Sequence, residues 1–356
     1  MTDKASSKPS KLLEKLANNE VIIAAEGYLM ELERRGYNRH GSFVPTVVLD
    51  HPEKVEELTR EFVHAGSDIS QAFTYYAHRE KLKAMNREDE FETLNRRAHE
   101  IAKKVAEETG TIFCVGIGTT NIYDPDSPEA IKTCEMLLRE QISVSAEFGV
   151  DYIALETLWD YGEASIGLKI AKEFGLPAVV TLAPVDLSGE LKTFDDYRIV
   201  DALKLLQKEG AACVGVNCAR GPDTMIPIVR QLRKEIEGPL ACLALAYHTT
   251  EEHPTWYKLK HHRTGARSFP NDMGAHFLGI SDAEWFGQQL KEIGVEYVGF
   301  CCGNTGSYTR AVAMQFGRTP PGAKYTSDFD ELNSLVGEKE TTNARNRAPL
   351  AKFFYG

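Results

Sequence analysis

The sequence lacks any apolar run that approaches the roughly 18 residues needed to cross a membrane. It also lacks an apolar leader, because residues 1–20 are polar and carry several lysines, unlike a secretory signal. Positive charge is not in excess either: the formal net charge is -11. This balance argues against a nucleic-acid or anionic-membrane partner. We therefore expect a cytoplasmic protein whose partners are small molecules.

What is present fits a single large soluble unit. The chain has 356 residues, 42% hydrophobic and 26% charged, which suits an α/β barrel. Its seven cysteines are an odd number. In a chain without a leader, they favour a reducing setting with metal-bound or reactive thiols rather than a disulfide framework.

Apolar, β-prone runs alternate with helical patterns along the chain. The runs cover residues 21–27, 67–74, 111–118, 150–156, 177–183, 211–218, 240–247 and 295–302. Helical periodicity marks residues 52–65, 90–108, 128–148, 163–174, 195–209, 223–236 and 281–293. Eight such units in series predict a (β/α)8 TIM barrel. A doubly wound open sheet is the alternative, but no G-x-G-x-x-G follows the first run.

Chemically reactive side chains gather where the predicted strands end. In (β/α)8 barrels the active site lies at the carboxyl ends of the strands. The residues at or just beyond these ends are Glu26, Tyr75, Tyr76, Glu156, Asn217, Cys218, Tyr247, His248, Cys301 and Cys302. This coincidence predicts one site at one mouth of the barrel.

Three cysteines at this mouth, Cys218, Cys301 and Cys302, indicate a zinc site. A catalytic zinc typically has three protein ligands and one open position, and it deprotonates a thiol that binds there. Two alternatives remain: buried structural cysteines with one spare, or a redox-active Cys301–Cys302 pair. Four further cysteines lie inside predicted strands or a helix and are interpreted as packing residues: Cys114, Cys134, Cys213 and Cys242.

Five segments carry a family resemblance: EGYLMELERRGY (26–37), HPEKVEELTREFVHAGSDISQAFTYYA (51–77), GVNC (215–218), LAYHT (245–249) and GVEYVGFCCG (294–303). On these segments the chain resembles the zinc- and homocysteine-dependent S-methyltransferases, most closely the betaine–homocysteine S-methyltransferases, over about residues 10–320. The resemblance implies that Cys218, Cys301 and Cys302 hold zinc and that the homocysteine sulfur takes the open position. It also implies that Tyr76 ligates the metal when substrate is absent.

The same resemblance implies roles for the other residues at the mouth. Glu26 and Glu156 would bind the homocysteine ammonium, and Phe43, Tyr75 and Tyr76 would line the methyl-donor pocket. Asn217 and Tyr247 would support the site. The implied reaction moves a methyl group from an onium donor, glycine betaine, to L-homocysteine and gives methionine and dimethylglycine. The implied assembly is a homodimer or a homotetramer.

The chain departs from the family at three places. Glu26-Gly27-Tyr28 stands where the family has Asp-Gly followed by Gly or Ala, so we expect Tyr28 to occupy part of the acceptor pocket. Phe43 replaces a tryptophan, and Thr157 replaces an aromatic residue. These changes leave open a sulfonium donor (S-methylmethionine or dimethylsulfoniopropionate), another thiol acceptor, or a non-catalytic protein that binds zinc or thiols.

Two segments outside the motifs also yield predictions. The long loop after the seventh strand, residues 250–280, is rich in aromatic and histidine residues. It is interpreted as a lid over the mouth or as a plain surface or oligomer loop. We predict a barrel domain over residues 1–319 and a C-terminal extension over residues 320–356 that contributes to an oligomer contact.

Overall fold

The structure is a computed structural model that describes residues 10–39, 41, 43–186, 189–325, 349 and 352. Strands and helices alternate along it. The strands are β1 (Ile22–Ala25), β2 (Ile69–Ala72), β3 (Ile112–Ile117), β4 (Tyr152–Leu158), β5 (Ala178–Leu182), β6 (Cys213–Asn217), β7 (Leu240–Ala244) and β8 (Tyr297–Phe300). The helices are α1 (Lys11–Ala17), α2 (Tyr28–Arg34), α3 (Val47–Asp50), α4 (Pro52–His64), α5 (Arg79–Ala84), α6 (Phe91–Thr109), α7 (Pro128–Phe148), α8 (Tyr161–Glu173), α9 (Ile199–Glu209), α10 (Pro222–Glu235), α11 (Ile280–Ile293) and α12 (Gly306–Gln315).

The eight strands form one parallel sheet in the order β1-β8-β7-β6-β5-β4-β3-β2. The two end strands, β1 and β2, are joined by hydrogen bonds of Asp68, the residue before β2, to β1. The backbone N–H of Asp68 donates to the Ile23 carbonyl at 2.8 Å, and its Oδ2 accepts from the Ile23 N–H at 2.8 Å. The sheet is therefore a nearly closed barrel, and the predicted (β/α)8 fold is confirmed.

Two apolar layers hold the barrel, because each strand is buried on both faces. Side chains such as Ile22, Ile112 and Leu243 point into the interior, where the hydroxyl groups of Tyr152 and Tyr297 bond to each other at 2.9 Å. The alternate residues pack against the surrounding helices. Parallel strands covered on both faces explain the near-continuous apolar runs in the sequence.

Helix boundaries follow the local signals in most cases. Helix α7 spans the predicted residues, with Pro in its first turn and Ser127 as N-cap accepting from the Ala130 N–H at 3.3 Å. Helix α9 begins at Ile199, four residues later than predicted. The segment before it instead contains two isolated antiparallel β-bridges, one between Asp186 and Leu191 and one between Lys192 and Arg198.

The predicted C-terminal extension, 320–356, lies largely outside the described residues, so the expected oligomer contact stays a prediction. Among the residues that the structure describes, no helix is long and apolar enough to cross a membrane.

Candidate metal centre and active site

Three thiols meet at the mouth because β6 and β8, which flank β7 in the sheet, both end there. Sγ of Cys302 lies 3.9 Å from that of Cys218 and 3.8 Å from that of Cys301. All three sulfur atoms lie within 4.8 Å of one another. Zinc–sulfur bonds of about 2.3 Å at tetrahedral angles set sulfur atoms about 3.8 Å apart. Two of the three sulfur–sulfur distances thus match this spacing, and the three cysteines fit a zinc ion.

The thiols also favour a negative charge in their midst. Hydrogen bonds from Cys301 and Cys302 hold the pKa of Cys218 well below its usual range. The same hydrogen bonds with Cys218 are the first cause that raises the pKa of Cys302, and likewise that of Cys301. The cluster thus concentrates thiolate character on one sulfur, which is the electrostatic condition for binding a cation.

Two buried carboxylates lie beside this cluster. Glu26, 2% exposed, follows β1, and Glu156, 5% exposed, lies on β4. Their oxygen atoms and the Cys301 sulfur lie within 4.8 Å of one another. Burial raises the pKa of both carboxyl groups, and the neighbouring Cys301 and Glu26 raise those of Glu26 and Glu156 further. In the described part of the chain neither forms an ion pair, so the pair offers a place for an ammonium group.

Asn217, the last residue of β6, ties the metal centre to the carboxylates. Its Oδ1 accepts from the Thr157 N–H at 2.8 Å, and its Nδ2 donates to Thr157 Oγ1 at 2.9 Å. The same Nδ2 lies 3.4 Å from Glu26 Oε2 and 3.7 Å from the Cys301 sulfur. Asn217 is fully buried, so it positions Thr157 and the neighbouring side chains of the site through these contacts.

Gly27 allows the turn after β1 to pass close to the cysteine loop. It has a φ of 95°, and a Cβ there would lie 2.4 Å from the Cys301 carbonyl oxygen. The next residue, Tyr28, packs its ring against Phe62 and Phe73 at centroid distances of 5.2 and 5.6 Å. Its ring is thus anchored in the apolar layer outside the strands, and Tyr28 borders the cavity as part of the wall.

A cavity of about 270 Å³ opens above the cysteines and carboxylates. Phe43, Tyr75 and Tyr76 line this cavity, and the rings of Tyr75 and Tyr76 lie 4.4 Å apart; their role in holding a methyl donor stays a prediction. Tyr75 fits there because residue 118 is a glycine: a Cβ at Gly118 would lie 2.3 Å from the Tyr75 ring.

Several lining residues were not predicted from the sequence. They are aromatic or polar side chains from helix α5 and three loops: Lys81, Asn121, Trp159, Trp256, Tyr257 and Phe269. The last three belong to the long loop after β7, where the Phe269 ring lies 4.5 Å from that of Trp256 and 6.1 Å from that of Phe43. This loop therefore builds a wall of the cavity. The aromatic richness of residues 250–280 was the available signal.

Two predicted residues, Tyr76 and Tyr247, make contacts with neighbouring side chains. The Tyr76 hydroxyl accepts from Asn121 Nδ2 at 3.1 Å, so its role as a metal ligand stays a prediction. Tyr247 is 2% exposed and packs against Phe277 and Trp256 at centroid distances of 5.0 and 6.5 Å. Tyr247 thus packs beneath the loop after β7, on the side of the loop that faces the barrel.

The backbone around the cavity is strained. Five lining residues other than glycine adopt left-handed conformations, with φ between 56° and 61°: Phe43, Tyr76, Asn121, Thr157 and Cys218. Such conformations cost about 1–3 kcal/mol each and persist where surrounding structure imposes them, commonly at functional sites. At Thr157 the strain coincides with a shift of strand register between Leu155 and Leu158.

Fold and site together define a (β/α)8 barrel with a cysteine-rich candidate metal centre at the carboxyl ends of its strands. The family model for homocysteine S-methyltransferase matches residues 23–316. The chain therefore belongs to the homocysteine S-methyltransferase family.

Individual relatives agree with this assignment. The chain is 30% identical to betaine–homocysteine S-methyltransferase 1 of Xenopus tropicalis over 88% of its own length and 78% of that protein. It is 29% identical to S-methylmethionine–homocysteine S-methyltransferase BHMT2 of Pongo abelii over 88% and 84%. The fold resembles the metallated form of the homocysteine methyltransferase MmuM from Escherichia coli, with a TM-score of 0.67 at 19% identity, covering 86% of this chain and all of that one.

Proposed function

We propose that this protein is a zinc-dependent S-methyltransferase that transfers a methyl group from an onium donor, glycine betaine, to L-homocysteine. The products are methionine and dimethylglycine. One observation carries the proposal: three thiols spaced for zinc lie beside two buried carboxylates that have no ion-pair partner in the described residues. A thiol that carries an ammonium group matches both halves of this arrangement.

The acceptor is held by charge. Glu26 and Glu156 bind the homocysteine ammonium, which relieves the cost of ionising two neighbouring buried carboxyl groups. This contact fixes the amino acid relative to Cys218, Cys301 and Cys302. When bound there, zinc lowers the pKa of an incoming thiol, so that a thiolate is available at neutral pH.

The donor is held by aromatic faces. Tyr75, Tyr76, Phe43 and the ring cluster of the loop after β7 surround the open part of the cavity. Such faces attract an onium cation by about 0.5–2 kcal/mol. In the reaction a sulfur–carbon bond forms and the carbon–nitrogen bond of betaine breaks, and its electron pair leaves with dimethylglycine. The aromatic walls also exclude water that would compete for the methyl group.

A sulfonium donor is the second candidate, because one relative is named for S-methylmethionine and another for betaine at nearly equal identity. The carbon–sulfur bond would then break instead. The two donors separate in an assay that supplies methyl-labelled betaine, S-methylmethionine or dimethylsulfoniopropionate with homocysteine and follows label in methionine.

Zinc content tests the metal centre independently of turnover. Freshly purified protein should contain about one zinc per chain, lost in Cys218→Ala. Cys242→Ala is the matched control, because Cys242 is also buried but lies in the middle of β7, outside the cavity lining, and should keep the metal. Zinc absent from the unsubstituted protein would overturn the proposal. Zinc present without methyl transfer from any onium donor would favour a non-catalytic zinc- or thiol-binding protein.

A further inference from the structure

Lys81 places a positive charge in the wall of the cavity. It is the third residue of α5, the short helix that follows Tyr75 and Tyr76. Its Nζ lies 4.3 Å from the centroid of the Tyr76 ring and 3.4 Å from Asn121 Oδ1. Lys81 therefore stands on the donor side of the cavity, next to the rings expected to hold the onium group.

This ammonium has no counter-ion among the described residues. Its neighbour on the same helix, Arg79, pairs with Glu140 at 3.0 Å, whereas Lys81 contacts only an amide oxygen and a ring face. An ammonium group has three N–H donors, so donors of Lys81 remain for a ligand. Lys81 is half-buried, and this burial lowers the pKa of its ammonium group.

A second unused donor lines the same arc of the barrel. The Trp159 indole Nε1 is buried and has no hydrogen-bond partner within the described ranges. Lys81, Asn121 and Trp159 follow β2, β3 and β4, which are adjacent strands. This side of the cavity thus holds the charged Lys81 and the unbonded indole N–H of Trp159, whereas the loop after β7 presents aromatic faces.

A lone cation would repel a donor that is purely cationic. The conflict disappears when the donor also carries an anionic group that reaches Lys81. The order of groups along the wall suits such a molecule. Tyr75 lines the cavity together with Cys218 and Cys302, its ring lies 4.4 Å from that of Tyr76, and Lys81 Nζ lies 4.3 Å from the centroid of the Tyr76 ring. The onium end would face the cysteines and the anionic end the lysine.

We propose that Lys81 is a specificity-determining residue that binds the carboxylate of a zwitterionic methyl donor. This inference rests on the proposed function and narrows the donor to onium compounds with a carboxylate. Choline-like cations, which lack one, are disfavoured by the same residue.

The test compares glycine betaine with its methyl ester, which keeps the onium group and removes the negative charge. Each compound is titrated calorimetrically into zinc-loaded protein with methionine, the unreactive product, in place of homocysteine. The variants are Lys81→Met, Lys81→Arg and Lys83→Met. Lys83 is the matched control, because it lies on the same helix but is exposed and does not line the cavity.

We expect Lys81→Met to weaken betaine binding by about 10- to 100-fold, the range for a hydrogen bond between charged groups, and to leave or improve binding of the ester. Lys81→Arg should retain most of the preference for betaine, and Lys83→Met should behave as the unsubstituted protein. In turnover, the KM for betaine should rise while the KM for homocysteine stays constant.

If Lys81→Met lowered the affinities for betaine and for the ester equally, or lowered neither, the inference would be overturned. A change confined to the KM for homocysteine would also overturn it, since Lys81 would then bind the carboxylate of the acceptor. The titration needs no chemistry, so the two proposals fail separately. Lys81-dependent binding of betaine without any methyl transfer would refute the proposed function, whereas methyl transfer with Lys81-independent binding would refute only the carboxylate site.

Discussion

Replacing Asn217 with alanine should both destabilise the protein and loosen its metal centre. The substitution removes two good hydrogen bonds to Thr157, at 2.8 and 2.9 Å, and leaves the Thr157 N–H buried without an acceptor. Each lost bond is worth about 1 kcal/mol, and an unpaired buried N–H costs about 1–3 kcal/mol. The expected loss in free energy of unfolding is therefore about 3 kcal/mol. The Cys301 sulfur also loses an N–H neighbour at 3.7 Å, and a contact behind a ligand typically changes metal affinity about 10- to 100-fold.

Urea unfolding of the metal-free protein measures the first effect, and competition with a chromogenic chelator measures the second. Asn95→Ala is the matched control. Asn95 is also fully buried and donates to the Ala77 and Phe91 carbonyl groups at 2.9 and 2.8 Å, but it lies on α6, outside the cavity lining. It should lower stability by a similar amount without changing zinc affinity. Equal zinc affinities for the two variants would refute the role assigned to Asn217.

Three further substitutions test the site and the fold. Gly118→Ala should displace the Tyr75 ring, 2.3 Å from the added Cβ, and lower kcat/KM for the donor by about 10- to 100-fold with an unchanged circular dichroism spectrum. Gly27→Ala combines a left-handed backbone with a contact of 2.4 Å to the Cys301 carbonyl, so its urea midpoint should fall by the equivalent of at least about 2 kcal/mol; an unchanged midpoint would contradict this. Burial lowers the pKa of His99 to about 4 from its ordinary 6.5, so its contribution to stability is complete above pH 6.5 and is lost as the pH falls toward 4. Relative to His99→Gln, the metal-free protein should lose about 1.4 kcal/mol per pH unit in that window, and parallel stability curves would refute this.

The barrel and the grouping of three cysteines at its mouth were largely predictable from the sequence. Parallel strands buried on both faces leave apolar runs, and the residue after such a run must lie at the mouth. That rule alone brought Cys218, Cys301 and Cys302 together, and the structure places their sulfur atoms within 4.8 Å. It also pointed to Glu26, which follows β1 directly, and to Glu156, which lies two residues before the end of β4.

The donor side was not predictable in the same way. Lys81, Asn121 and Trp159 lie in the segments that follow β2, β3 and β4, and left-handed residues such as Tyr76 and Asn121 itself shape those segments. Non-glycine residues seldom adopt a left-handed conformation, so no local sequence pattern predicts where one will occur. The long loop after β7 poses the same difficulty, because its place over the mouth is set by long-range ring contacts rather than by a repeating pattern.

The departures from the family pattern change where the aromatic faces come from, not whether they are present. Thr157 stands where the resemblance implies an aromatic residue, and here it binds Asn217 instead of lining the donor pocket with a ring. Trp159, two residues further along, lines the cavity. Phe43 is smaller than the tryptophan it replaces, and Phe269 from the loop after β7 stacks against it. An onium group would therefore still meet rings on several sides, while the N–H groups of Lys81 and Trp159 add a polar face that a purely cationic donor could not use.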